Sequence, residues 1–296
     1  MIIAVTGSNG SLGGELVPFL KDLGHRVLVI TSSNFSTSKI DVFTYSDLLS
    51  KKIPFKVDLF FHLASINSKL KENQIKDEVR ITSDILSALP SISCKRLIFF
   101  STSKVYGDNS LDINSFHESS PLNPMCHYGK AKKICEDLIC SKSLDGELNA
   151  LIFRMPPVLN KSDSSNIGKL INLSKTPIPI ISIAQGDFNK RSFISFENIK
   201  IVINKILENI EIFKNSEIYN LSDDRVISLN ELLSIAGKKK IYSLPMIFGK
   251  FLFFVPFLKN VLLKLFGNFV LDNSKLKSNM GVKLKTTAQL LKAKDK

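Results

Sequence analysis

The chain begins MIIAVTGSNGSLGGELVPFL over residues 1–20: an apolar run, a loop with glycines three residues apart, and the start of a helical pattern. Between a first strand and a first helix, such glycines allow a tight turn and leave backbone N–H groups for a pyrophosphate. An ordinary glycine-rich turn is the alternative, but this position favours a dinucleotide site. The loop residues predicted to bind the dinucleotide are Gly7, Ser8, Asn9, Gly10, Ser11, Leu12 and Gly13.

Short apolar runs recur downstream, separated by segments with helical spacing. Continuous apolar strands that alternate with helices are typical of a parallel sheet buried on both faces and joined by right-handed crossovers. The sequence therefore predicts an α/β fold with a Rossmann-type doubly wound parallel sheet. The runs are HRVLVI (25–30), VDLFFHLAS (57–65), KRLIFFSTS (95–103) and ALIFRM (150–155).

The pattern changes after Met155, where two prolines open a less regular region. We predict a NAD(P)-binding domain over 1–155 and a smaller α/β substrate-binding region over 156–296. Parts of 190–235 show a further strand and helix pattern, and we expect them to return to the first domain.

Composition and charge exclude several classes of protein. The chain has 296 residues, of which 44% are hydrophobic and 23% are charged, so general disorder is excluded. Much of the net charge of +13 comes from residues 238–296, with thirteen lysines against two acids, so a uniformly basic nucleic-acid binder is excluded. The four cysteines form no metal or disulfide pattern, and the chain shows no signal peptide and no apolar run of ~20 residues. We expect a cytoplasmic protein.

The end of the second strand is expected to read the adenosine ribose of the dinucleotide. It carries Thr31 and Ser32 followed by Ser33, without the acid that would favour an unphosphorylated ribose. Hydroxyl groups can bond either a ribose or a 2′-phosphate, and no arginine selects the phosphate. NADP or NAD both fit, and the sequence leans slightly to NADP.

A tyrosine and a lysine stand four residues apart in YGKAK, at Tyr128 and Lys132. In a helix they share one face, and the ammonium group should lower the pKa of the phenol. Such a tyrosine can exchange a proton with a carbinol or carbonyl oxygen. Thr102 ends a predicted strand, where its hydroxyl could hold the reacting oxygen.

With these motifs in view, the chain resembles an extended short-chain dehydrogenase/reductase of the nucleotide-sugar epimerase/dehydratase family. The match runs nearly end to end. The segments that carry it, besides TGSNGSLGG and YGKAK, are VDLFFHLAS (57–65), FFSTSKVYGD (99–108), KRSFISFENI (190–199) and IYNLSDDRVISLNELL (218–233).

The resemblance implies a role for each matched position. Thr102 and Tyr128 would be catalytic, with Tyr128 as the acid/base, and Lys132 would hold the nicotinamide ribose while tuning Tyr128. Arg191 and Asn166 would hold the diphosphate of a nucleoside-diphosphate sugar, most simply UDP-linked. The residues expected to line the cofactor are Leu63, Ala64 and Ser65.

Two positions depart from the family pattern: Thr82-Ser83 stands where many members have an asparagine, and Met155 replaces a common proline. Within the family, the chain resembles bacterial enzymes of surface-polysaccharide synthesis. We expect a reductase of a UDP-4-keto-6-deoxy-hexosamine, with a UDP-sugar 4-epimerase that keeps its NAD as the alternative. A non-catalytic NAD(P) sensor is a distant third interpretation.

The apolar and basic stretch 248–271 admits two interpretations. It could form two amphipathic helices packed over the sugar, or it could make a peripheral membrane contact in which lysines meet anionic lipid. A homodimer is expected from the family habit alone. His62 lies inside an apolar run and is interpreted as a core residue, not a ligand.

Overall fold

The computed structural model describes residues 1–32, 40–66, 69–109, 115–159, 172, 176, 180–183, 190–235, 241–244 and 267–293. The chain forms two compact units. The first comprises 1–107, 122–154 and 204–219, and the second comprises 108–121, 155–203 and 220–296. Asn166 and most of the stretch 248–271 lie outside the described residues, so their predicted roles stay predictions, as does the homodimer.

The strands and helices of the described residues are numbered here in chain order. The strands are β1 Ile2–Thr6, β2 Arg26–Thr31, β3 Asp41–Thr44, β4 Leu59–His62, β5 Arg96–Thr102, β6 Ser115–Phe116, β7 Asn149–Met155, β8 Ile180–Ile183, β9 Lys190–Arg191, β10 Glu217–Asn220, β11 Ile227–Ser228, β12 Ile241–Leu244 and β13 Val270–Leu271. The helices are α1 Ser11–Asp22, α2 Tyr45–Leu49, α3 Ile75–Ala88, α4 His127–Leu144, α5 Phe196–Glu208, α6 Leu229–Ile235, α7 Ser274–Met280 and α8 Thr287–Ala293.

Seven strands form the main sheet, in the order β10-β7-β5-β4-β1-β2-β3. The neighbouring pairs from β3 across to β5 are parallel. The chain builds outward from β1 to β3 and then crosses back to β4, so the strand order reverses between β1 and β4. Ligands of such sheets bind at this reversal, beyond the carboxyl ends of the strands. The predicted Rossmann-type fold is confirmed.

The sheet is buried because its strands are apolar on both faces, as the sequence predicted. Ile3, Ala4 and Val5 of β1 have no exposed surface, and neither do Leu59 and Phe60 of β4. Strand β3 was not predicted, because its four residues are only half-buried and include a charged one. It forms the sheet edge, where Asp41 accepts a 2.8 Å hydrogen bond from Arg26 of β2.

Helices α3 and α4 pack against each other and supply most of the candidate site. The buried residues of α3 recur at a spacing of three to four, which places them on one face of the helix. That face is unusual in carrying Glu78 and Thr82 alongside Ile85. The facing helix α4 buries Lys132 and Glu136, and charged residues are found at such depth only when they are paired.

One of these pairs joins α4 to the sheet. Arg154 of β7 lies 2.7 Å from the Glu136 carboxylate, and their side chains are 3% and 2% exposed. Arg154 also donates to the Tyr106 hydroxyl at 3.1 Å, and Ser101 donates to Glu136. The pair therefore anchors both ends of the segment 101–106, which contains Thr102.

The second unit is held together by short strand pairs, β11 with β9, β12 with β8 and β13 with β6. A buried carboxylate, Asp223, ties distant parts of this unit together. It accepts hydrogen bonds from the Ser195 backbone at 2.9 Å, from Asn198 at 2.7 Å and from Thr287 at 2.7 Å. Thr287 begins α8, so the last described helix is fastened to the segment around residue 195. In the part of the chain that is described, no helix has the length and apolar character to cross a membrane.

The Arg154–Glu136 pair gives a stability prediction. Replacing Glu136 with alanine leaves a buried, unpaired guanidinium, so the free energy of unfolding should fall by about 3–5 kcal/mol. The matched control is Asp137→Ala on the same helix, whose carboxylate is 60% exposed and pairs with Lys133. It should change stability by less than about 1 kcal/mol. Urea titration followed by circular dichroism measures the free energy of unfolding of both variants. An equal loss of stability in the two would contradict a structural role for the buried Arg154–Glu136 pair.

Candidate active site

The glycine loop sits at the strand-order reversal and is closely packed. Gly7 has φ +74, and a Cβ there would lie 2.7 Å from the Ala64 nitrogen and 2.8 Å from the Leu63 carbonyl carbon. Only glycine fits both the backbone conformation and the space. The loop after β1 is thereby pressed against the segment that follows β4, which is the other predicted wall of the cofactor site.

The start of α1 is equally close to this loop. A Cβ on Gly13 would lie 2.2 Å from the Gly7 carbonyl oxygen, so the helix can approach only through glycine. Gly10 is the N-cap of α1, no side chain caps it, and no acid stands in the first turn. A helix N-terminus without a competing carboxylate suits an anionic pyrophosphate.

The other predicted loop residues line the same turn. Asn9 and Ser11 are exposed, while Ser8 and Leu12 are half-buried. Thr31 ends β2 and is buried, and Ser32 is exposed beside it, whereas residue 33 lies outside the described ranges. As the sequence indicated, neither Thr31 nor Ser32 offers a carboxylate that could bind the ribose hydroxyls.

The segment after β4 fits a bound cofactor. Leu63, Ala64 and Ser65 are half-buried, and the Ala64 N–H donates to the Thr6 hydroxyl at 3.3 Å. The Ser65 hydroxyl oxygen is buried, and although it lies near enough to the Tyr128 phenol to lower its pKa, it makes no hydrogen bond of good geometry among the described residues. A buried polar atom of this kind needs an explanation, and a bound polar group supplies one. Together with the glycine cradle, these residues fit a dinucleotide.

The structure brings Tyr128 and Lys132 together on α4. The Lys132 ammonium lies 5.9 Å from the centre of the Tyr128 ring and 4.7 Å from that of Phe99. The helix begins at His127, and the Cys126 sulfur accepts a 3.4 Å hydrogen bond from the Gly129 N–H. The predicted helix and its shared face are therefore present.

Gly129 brings this helix close to the segment that carries Thr102. A Cβ at Gly129 would lie 2.6 Å from the Lys104 carbonyl oxygen, so α4 touches the chain two residues after Thr102. Thr102 ends β5 and is 8% exposed, and its hydroxyl accepts a 3.3 Å hydrogen bond from the Lys104 N–H. The hydroxyl and the tyrosine thus come from two segments in direct contact.

Sequence reasoning missed a further member of the site, Glu78 on α3. Its carboxylate lies 3.2 Å from the Lys132 ammonium, and both side chains are 1% exposed. Its other oxygen accepts a 2.7 Å hydrogen bond from the Ile66 N–H. The usable signal was its spacing, because Glu78, Thr82 and Ile85 follow the buried face of a helix.

The surroundings change the acidity of the phenol in a direction opposite to the prediction. Burial raises the pKa of Tyr128, Lys132 lowers it, and Glu78 raises it, which leaves the pKa above the ordinary value of 10.0. Lys132 lowers the pKa of the phenol as expected, but burial and Glu78 together raise it by more. Burial lowers the pKa of Lys132, yet Tyr128 and Glu78 raise it, so the pKa ends above its ordinary value and the ammonium stays charged.

Thr82, which stands where many family members have an asparagine, belongs to a separate hydrogen-bond network around His62. His62 is hydrogen-bonded to the Thr6 hydroxyl at 3.1 Å and to Thr82 at 3.0 Å, and Thr82 donates to the Cys135 sulfur at 3.2 Å. Burial, and then the charge of Lys132, lower the pKa of His62 well below its ordinary value. His62 is therefore a neutral core residue, as predicted.

The predicted substrate residues belong to the second unit or fall outside the described ranges. Arg191 lies in β9 and is half-buried, and burial lowers the pKa of its guanidinium. Asn166 is not among the described residues. Their binding roles remain predictions.

Comparison with known proteins agrees with this geometry. The sequence model of the NAD dependent epimerase/dehydratase family matches residues 3–222. The chain belongs to this family. Its members are enzymes that act on nucleotide sugars, and the family description names NAD; the comparisons give no support to the lean to NADP.

Related sequences and solved structures extend the comparison. UDP-glucose 4-epimerase of Vibrio cholerae is 26% identical, over 97% of this chain and 92% of its own length. UDP-arabinose 4-epimerase 1 of Arabidopsis thaliana is 27% identical, but the match covers 56% of this chain and only 45% of that protein. The crystal structure of UDP-N-acetylglucosamine 4-epimerase from Bacillus cereus has the same fold, with a TM-score of 0.76 at 19% identity over 99% of this chain and 97% of that one.

The packing of the glycine loop predicts the effect of one added methyl group. Gly13→Ala would place a Cβ 2.2 Å from the Gly7 carbonyl and deform the loop, so NAD should bind at least about tenfold more weakly. Gly14→Ala is the matched control, because its Cβ would meet the Ser8 carbonyl at an ordinary 3.7 Å. Calorimetric titration with NAD measures both, and a thermal melt checks folding. Equal affinities would show that the loop does not hold the cofactor.

Proposed function

We propose that the protein is a NAD-dependent 4-epimerase of a nucleoside-diphosphate sugar, with UDP as the expected nucleotide. The Tyr128–Lys132 pair carries the proposal, because it holds an ionisable phenol beside a buried ammonium in the unit that contains the glycine cradle. The 4-position and the UDP group are taken from the relatives, two of which are named as 4-epimerases of UDP-sugars. An epimerase fits these relatives better than the reductase that the sequence favoured.

Different residues of the first unit would bind different parts of the cofactor. Gly7 to Gly13 and the N-terminus of α1 would hold the pyrophosphate, and Thr31 and Ser32 would hold the adenosine ribose. Leu63, Ala64 and Ser65 would form a wall, and Lys132 would hold the nicotinamide ribose. When bound, NAD supplies the acceptor for the hydrogen at C4 of the sugar and returns it.

The chain's own groups would move the matching proton. Tyr128, as phenolate, would take the proton of the C4 hydroxyl when the carbinol becomes a ketone, and it would return that proton when the ketone is reduced. Lys132 would stabilise the phenolate through its charge, and the Thr102 hydroxyl would hold the same sugar oxygen. Arg191, with Asn166, would bind the diphosphate, for which a guanidinium fork is well suited.

The reductase remains the second candidate, and one observation favours it. β2 ends in Thr31 and not in an acid, which fits a cofactor that is released after each turnover better than one held permanently. A reductase would use the same Tyr128, Lys132 and Thr102 but would make a single transfer and need a reduced cofactor.

One experiment separates the candidates. The purified protein is incubated, without added cofactor, with UDP-glucose, UDP-galactose and their N-acetyl forms, and products are read by NMR and mass spectrometry. The proposal predicts interconversion at C4 and NAD in the denatured extract. A parallel incubation supplies NADH or NADPH with a UDP-4-keto sugar. Consumption of the reduced cofactor there, without interconversion at C4, would make the protein a reductase, and cofactor binding without either reaction would make it a sensor.

Tyr128→Phe tests the role of the phenol. Loss of the proton-transferring group should lower kcat by about 10²–10⁴-fold. NAD affinity should change by less than about threefold, because the ring and the lysine remain. Tyr242→Phe is the control, since that tyrosine is 57% exposed and should leave kcat unchanged. A Tyr128→Phe protein with unimpaired turnover would remove this residue from the mechanism.

A further inference from the structure

A carboxylate and an ammonium are buried together behind the candidate catalytic tyrosine. Glu78 and Lys132 are each 1% exposed and lie 3.2 Å apart, on helices α3 and α4. Such a pair is retained in an interior only with good geometry and with the remaining lone pairs satisfied. Here the second carboxylate oxygen accepts from the Ile66 N–H at 2.7 Å, so Glu78 meets both conditions.

The two contacts of Glu78 join parts of the site that are distant in sequence. One contact reaches Lys132, and the other reaches the backbone directly after Leu63, Ala64 and Ser65, the proposed wall of the cofactor site. The carboxylate therefore fixes where the ammonium can lie relative to that wall. Packing restricts the lysine stem, and the charge and the direct contact of Glu78 add a fixed partner for its ammonium.

We propose that Glu78 is a positioning residue of the reaction: it holds the Lys132 ammonium against the 63–66 segment and balances part of its charge. This proposal rests on the proposed function of Tyr128 and Lys132. Glu78 touches neither the phenol nor, in this scheme, the sugar, and it acts through the lysine.

The charges around the phenol come from every element packed on this part of α4. Lys132 and Cys135 lie on α4, Cys126 caps its start, and the Glu78 carboxylate faces them from α3. Lys132 lowers the pKa of the neutral His62 on β4, and Glu78 raises the pKa of Tyr45 at the start of α2. The groups whose mutual influence shifts a pKa in this cluster are Tyr45, His62, Glu78, Cys126, Tyr128, Lys132 and Cys135.

The sign of the effect follows from like charges. A carboxylate near a phenol disfavours the phenolate, so Glu78 raises the pKa of Tyr128 while Lys132 lowers it. Oxidation of the C4 hydroxyl needs the phenolate, so activity limited by this step should rise with pH. Removing the charge of Glu78 should move that rise to lower pH.

Glu78→Gln removes the charge while keeping the size and one acceptor oxygen. We expect its pH profile of kcat to reach its plateau at lower pH than that of the native enzyme. Glu78→Asp keeps the charge but shortens the reach, so its profile should stay near the native position while kcat falls at least about tenfold through misplacement of Lys132. Asp137→Asn, which removes an exposed charge from α4, the helix that carries Tyr128 and Lys132, should leave both quantities unchanged.

A second measurement does not depend on turnover. The chain has only five tyrosines, so carbon-13 at the ring ζ position gives resolvable NMR signals, and Tyr128→Phe assigns the one that matters. Its titration midpoint should be lower in Glu78→Gln than in the native protein and unchanged in Asp137→Asn. If the native protein converts no nucleotide sugar, the proposed function fails while this titration still tests Glu78. An unchanged midpoint, or a Glu78→Asp enzyme with native kcat, would overturn the positioning role.

Discussion

The ion pair between Lys132 and Glu78 is the interaction on which the candidate site depends. A lysine with 1% of its surface exposed loses its hydration, and here Tyr128 and the Glu78 carboxylate of the neighbouring helix both favour its charged form. The pair forces α3 and α4 to meet in a single register. It also ties both helices, through the Ile66 backbone, to the loop that faces the glycine cradle.

Close backbone contacts complete this arrangement. Gly7 and Gly13 allow the first loop, the first helix and the segment after β4 to meet at distances that no side chain would permit, and Gly129 does the same for α4 and the strand end near Thr102. The buried Arg154–Glu136 pair then fastens α4 to the sheet one turn further along the helix. The proposed catalytic groups are thus placed by contacts between rigid elements, which favours a fixed geometry for proton transfer.

The features that could be predicted from the sequence are those that depend on the spacing of nearby residues. The spacing of the glycines and the four-residue separation of Tyr128 and Lys132 are visible within short stretches of sequence. The fold and the central pair were therefore predictable. Glu78 was not, because its meaning depends on the packing of α3 on α4, and an acid within a polar helical segment is usually solvated. The raised pKa of Tyr128 was not predicted either, because it depends on burial and on Glu78, whereas the lysine alone would lower it. The half-buried β3 has only two apolar residues, Val42 and Phe43, which is too short a run to predict a strand.

In the proposed reaction, a hydrogen leaves C4 of the sugar and returns to it while Tyr128 transfers the accompanying proton. A UDP-sugar carrying deuterium at C4 tests this most directly. The account predicts that NMR finds epimerised product with the deuterium still on C4, because the abstracted hydrogen does not exchange with water. Epimerised product whose C4 deuterium has been replaced by solvent hydrogen would contradict it.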